Sequence, residues 1–86
     1  MTHANYLELF NHVLTHGTKQ LSTMCLGSLS AWHEIDGYTC YLRSEGVTLT
    51  LLFHNRFSYE YDDESALLTF KSETEKVFAS IKKSMI

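Results

Sequence analysis

A chain of 86 residues has room for one hydrophobic core and buries only about 60–65% of its unfolded surface, which leaves little for an enclosed active-site cavity. With 44% hydrophobic and 20% charged residues it is composed like a folded globular protein and not like a disordered one. Its net charge of −3 and scattered basic residues lack the clustered positive footprint that phosphate binding needs, so nucleic acid is not an expected partner.

Thr2 is placed to cap a helix, and the run after it has helical period. Tyr6, Phe10, Val13, Leu14, Gly17, Leu21 and Met24 fall on one stripe with steps of three and four, while Glu8, His12, His16 and Lys19 fall opposite. Gly17 lies inside the apolar stripe. Glycine there costs about 1 kcal/mol relative to alanine in a helix, so it signals either a close approach to the sheet or a break in the helix. Gly27 supplies the expected stop.

From Ser28 the period changes to two. Asp36-Gly37 and Glu45-Gly46 punctuate the run as hairpin turns, which predicts strands over 28–35, 38–44, 47–54 and 57–61. Two-residue turns set Ile35 opposite Tyr38, Trp32 opposite Tyr41 and Ser44 opposite Val47. A one-residue slip would invert every face, and side-chain alternation supports this register. Leu29, Ala31, His33, Ile35, Tyr38, Cys40, Leu42, Val47, Leu49, Leu51 and Phe53 then share one apolar face. A three-residue loop at His54-Asn55-Arg56 adds Phe57, Tyr59 and Tyr61 to it.

Leu67, Phe70, Thr74, Val77, Phe78, Ile81 and Met85 return to helical spacing. Asp62 or Asp63 would cap a helix running to about residue 84, with Glu64 near its positive end and Lys82 and Lys83 near its negative end. The alternative is a fifth strand over 66–70 followed by a helix from Ser72, with Glu75 closing a capping box. The single helix is preferred. The expected fold is one α+β domain over residues 1–86, a two-layer sandwich with both helices on one face of a four-stranded antiparallel meander. The element order resembles that of the frataxin fold, in which two helices flank a short antiparallel sheet. The acidic ridge that the frataxin family uses for iron has no counterpart here, where the outer side of the first helix carries Glu8 with two histidines. The resemblance therefore implies architecture and no function.

Several side chains have the chemistry for a site. His12 and His16 stand one turn apart with Glu8 a turn earlier, a spacing that can share a metal ion. A catalytic zinc helix would also want a glutamate directly after the first histidine, where Val13 stands, and solvated surface histidines explain the pattern as well. His33 and Cys40 face each other in the first hairpin, as in an activated cysteine nucleophile. They point toward the helices, where a buried thiol and a satisfied histidine are the plainer reading. Glu60, Asp62, Asp63 and Glu64 form the one dense charge run. Its spacing is not that of a calcium loop, and helix capping accounts for it.

The other sheet face is mainly polar, but it sets Trp32 across from Tyr41, with Leu52 diagonal to Tyr41 and Arg43 nearby. These are residue types enriched at binding hot spots. An exposed aromatic pair that only braces a hairpin is the equal alternative. No phosphate-binding glycine loop, nucleophile elbow or Cys-x-x-Cys is present, and no enzyme activity or cofactor is expected. No stretch approaches the ~20 apolar residues of a membrane span, and the start lacks the charged and apolar blocks of a secretion signal. Cys25 and Cys40 have neither the number nor the spacing of a disulfide framework, although one bond between them is conceivable if the first helix ends over the second strand. The sequence thus points to a cytoplasmic interaction module. It would engage a protein partner or a second copy through the Trp32, Tyr41, Leu52 and Arg43 face. A metal-binding protein using Glu8, His12 and His16 is the alternative.

Overall fold

The computed structural model describes residues 1–52 and 54–84, Ser84 by its backbone alone. In chain order the elements are α1 (His3–His16), β1 (Thr18–Gln20), β2 (Thr23–Leu26), β3 (Leu29–His33), β4 (Cys40–Ser44), β5 (Val47–Leu52), β6 (Arg56–Glu60) and α2 (Glu64–Ser84). The strands form one antiparallel sheet in sequence order. The class is α+β as expected, but the sheet has six strands where four were predicted.

The two additional strands come from the segment read as the end of the first helix. Thr2 caps α1 as expected, its hydroxyl accepting from the Asn5 amide at 3.1 Å. The helix stops at His16, and Gly17 takes extended backbone with its N–H donating to the Val13 carbonyl at 2.8 Å. Both meanings of the glycine hold at once. A Cβ at Gly17 would lie 2.5 Å from the Val13 carbonyl oxygen and 2.8 Å from that of Cys25, so the chain breaks where it presses against β2. Residues 18–26 then form a hairpin whose tip, Leu21, is exposed at positive φ. Gly27 is the β2–β3 turn and not a helix stop.

The central register is the predicted one. Trp32 pairs with Tyr41, His33 with Cys40, and Ser44 with Val47 across a turn in which Glu45 and Gly46 both have positive φ. The Ile35–Tyr38 pair does not form. Asp36 Oδ1 accepts from the amides of Tyr38 and Thr39, and this local bonding replaces ladder pairing, leaving Ile35 and Tyr38 exposed in the loop. At the last hairpin Leu52 pairs with Arg56 and Leu51 with Phe57, so Arg56, predicted in the loop, is already strand. That changes partners by two positions and keeps every face. Phe53 and Met85, expected in the core, lie outside the described residues.

The apolar face forms the core. Leu29, Ala31, Leu42, Val47, Leu49 and Leu51 pack under Tyr6, Leu9, Phe10 and Val13 of α1 and Phe70 and Ile81 of α2. Leu9, absent from the predicted stripe, is fully buried. Both helices therefore lie on one side of the sheet. At the sheet ends the alternation continues but burial does not, and His33 and Tyr61 are exposed. α2 is a single helix and no fifth strand forms over 66–70. Asp63 Oδ1 accepts from the amide and hydroxyl of Ser65, each at 2.9 Å, and Thr74 is buried with its hydroxyl bonded to the Phe70 carbonyl at 2.9 Å.

Candidate functional site

The face away from the helices has no covering element among the described residues, and its layout follows from strand pairing. One row across all six strands is Thr18, Cys25, Ser30, Arg43, Thr48 and Glu60. The next row holds Trp32, Tyr41, Thr50 and Ser58, and beyond it Leu52 pairs with Arg56. Alternation puts these residues outward because their neighbours Ala31, Leu42 and Leu49 are committed to the core.

Trp32 and Tyr41 stack with ring centroids 5.1 Å apart at 19°. Tyr41 donates its hydroxyl to Glu34 at 2.8 Å, and this bond to a carboxylate, more than any other influence, pushes the phenol above its ordinary value. Arg43 donates to the Thr48 hydroxyl at 2.9 Å. The aromatic pair is thus held in a fixed pose, each ring half-buried by its neighbours. Leu52, 37% exposed, lies beyond the pair toward the β5–β6 turn. All four predicted interaction residues share this face. Arg56, the other arginine, joins them at the edge, although the sequence places it in the last loop.

The first helix arranges its polar residues differently. His12 and His16 approach to 4.4 Å between ring centroids, and partial burial, with the charge of His16 second, lowers the His12 pKa. Glu8 is bound elsewhere. Its Oε2 is shielded from water and is satisfied by the Lys82 ammonium at 2.7 Å. Among the described residues no three His, Cys, Asp or Glu side chains are grouped to hold a metal ion.

Cys40 and His33 are cross-strand neighbours, but their environment does not activate a nucleophile. His33 Nδ1 donates to the Glu34 carbonyl at 2.9 Å, while burial, and then the Asp36 carboxylate, pushes the Cys40 thiol up and keeps it protonated. Cys25 bonds weakly to Ser30 on the open face, whereas Cys40 belongs to the core face, so the sheet itself separates the two thiols. The acidic run is spent on the start of α2. Asp63 is held below the usual carboxylate range, first by the Ser65 amide and then by its hydroxyl.

Sequence reading missed a cleft of about 410 Å³ at the end of the sheet where α1 begins, lined by His3, Leu7, Tyr38, Cys40, Leu52 and His54. His3 is anchored there, its Nε2 donating to the Leu52 carbonyl at 3.0 Å. The signal was positional: the strand order brings the β3–β4 and β5–β6 turns to the end from which α1 starts.

No helix among the described residues is long and apolar enough to cross a membrane. No curated protein and no solved structure matches the chain, so its architectural resemblance stands on element order alone. The family profile described as a protein of unknown function (DUF3081) matches residues 1–84, and the chain belongs to that family.

Proposed function

We propose that this protein is a small interaction module whose binding surface is the open sheet face, centred on Trp32 and Tyr41 and flanked by Arg43 and Leu52. One observation carries the reading. The only tryptophan and both arginines of the chain lie on that face, and no lysine does among the described residues. Lys19 points to the other side, opposite Met24, and the remaining four lysines are on α2. Interface centres are enriched in Trp, Tyr and Arg and depleted in Lys, whereas a face made only for water needs no such selection. Catalysis is not part of the proposal. A reducing, cytoplasmic setting goes with it, supported by two thiols that the sheet keeps apart.

The test compares proteins co-purifying with the wild type and with the Trp32→Ala/Tyr41→Ala variant, both first shown to be folded by circular dichroism. A partner, or a second copy, retained by the wild type and lost by the variant is the expected result. Identical binding profiles would refute the reading.

Metal binding by Glu8, His12 and His16 is a second reading, favoured by the close approach of the two imidazoles. It requires Lys82 to release Glu8. Zinc titration of the wild type and of His12→Ala decides it: tight binding lost in the variant supports it, and weak binding unchanged by the substitution removes it.

A further inference from the structure

We infer that the partner of the open face is a second copy of this chain, packed sheet to sheet about a two-fold axis that crosses the strands along the Trp32, Tyr41, Thr50 and Ser58 row. The inference rests on the interaction reading above and adds the identity and geometry of the partner.

The order of charges carries it. The face holds two arginines, Arg43 and Arg56, and the carboxylates Glu34 and Glu60, with Asp62 at its edge beside Arg43 and Glu60, so it mixes both signs on a chain of net charge −3. A face for a strongly basic or acidic partner would be one-signed; this one is mixed, as self-pairing requires. Its charges are also ordered. On β6, Arg56 and Glu60 lie two residues either side of Ser58. An axis along the Ser58 row lays each strand over its own copy in the reverse direction. Arg56 then stands over Glu60 of the second copy, and Glu60 over its Arg56. On β3 and β4 the same operation brings Glu34 over Ser30 of the second copy, one strand from its Arg43. Arg56 and Glu60 thus each meet their opposite, Glu34 comes within one strand of Arg43, and the two aromatic pairs meet at the centre.

The axis row crosses β3 to β6 within the strands and reaches β2 and β1 only at their ends, level with Thr23 and Gln20, so β3 to β6 make the contact. Such a contact is isologous, so it closes as a dimer and does not propagate.

Sedimentation equilibrium of the full chain, from low micromolar to several hundred micromolar, tests the inference. The wild type is expected to approach twice its 9.9 kDa chain mass. Arg56→Glu or Glu60→Arg alone sets like charges face to face and should weaken the dimer by roughly tenfold or more. The Arg56→Glu/Glu60→Arg double variant should recover it, and an equimolar mixture of the two single variants should form heterodimers. Because both positions are exposed and the double variant restores association, misfolding cannot imitate this pattern. A monomeric wild type at every concentration overturns the inference, as does a double variant or mixture no better than the single variants. If the wild type is monomeric yet Trp32→Ala/Tyr41→Ala loses a foreign protein, the second copy is wrong and the interaction face stands. A dimer indifferent to Trp32→Ala/Tyr41→Ala and to the charge reversals would remove both.

Discussion

Replacing Gly17 by alanine should destabilise the protein, although the backbone conformation there suits alanine. Gly17 has φ −76° and ψ 171°, an extended geometry open to any residue. On conformational grounds alone the substitution would stabilise by about 0.4–1 kcal/mol, through loss of freedom in the unfolded chain. The folded structure opposes this. The new methyl would sit 2.5 Å from the Val13 carbonyl oxygen and 2.8 Å from that of Cys25. Both are backbone atoms, one in α1 beneath the core residue Val13 and the other in β2, so neither can swing aside as a flexible side chain would. Forced overpacking of this kind costs about 1–3 kcal/mol, which outweighs the entropic gain. The expected net loss is about 1–2 kcal/mol. For a domain of this size each kcal/mol lowers Tm by about 4–8 °C. Urea and thermal unfolding followed by far-ultraviolet circular dichroism measure the change. A Gly17→Ala variant as stable as the wild type, or more stable, would refute the close approach of α1 to β2.

Other expectations concern buried hydroxyls, carboxylates and thiols. Tyr6→Phe removes the 2.6 Å bond between the Tyr6 and Tyr59 hydroxyls and should cost about 0.5–1.5 kcal/mol in urea unfolding. Burial, with the Tyr6 bond second, raises the Tyr59 pKa, so the unfolded chain ionises first and stability should fall as pH rises above about 10. Tyr59→Phe should flatten that alkaline limb; an unchanged slope would mean that Tyr59 is not held protonated. Asp63 has the opposite sign. Its lowered pKa contributes stability above the ordinary aspartate range, lost as pH falls below about 4, and Asp63→Asn should reduce this acid dependence in pH-stepped unfolding. In a Cys25→Ser background, Cys40 should react with a disulfide reagent more slowly in the folded protein than in denaturant, since burial and Asp36 keep its thiol protonated. Equal rates would place it in solvent.

How much was legible in the sequence depended on whether a signal was local. The Trp32–Tyr41 register followed from Asp36-Gly37 punctuation with strict alternation, and Ser44–Val47 from the Glu45-Gly46 turn; these features were local, as was the cap at Thr2. The β1–β2 hairpin was hidden. Leu21 and Met24 fit a helical stripe, β1 is polar and exposed, and what decides its fold is the contact between Gly17 and a strand eight residues later. Ile35 and Tyr38 misled for a related reason: Asp-Gly suggested a two-residue turn, while the Asp36 side chain bonded further along the backbone. The candidate face was readable because outward residues follow from register alone. The cleft beside His3 was not, since it depends on which turns the topology brings to the start of α1.

Because Trp32 is the only tryptophan, a single probe reports on the central claim. Biosynthetic 5-fluorotryptophan places one fluorine at the middle of the open face, and its NMR signal can be followed in buffer on dilution and again in lysate of the native host. If the face is a binding surface, the signal should shift or broaden as the concentration rises or when lysate is added, and Tyr41→Ala should weaken that response. A narrow line at one unchanged frequency under all of these conditions would show that nothing covers Trp32, and it would contradict the account.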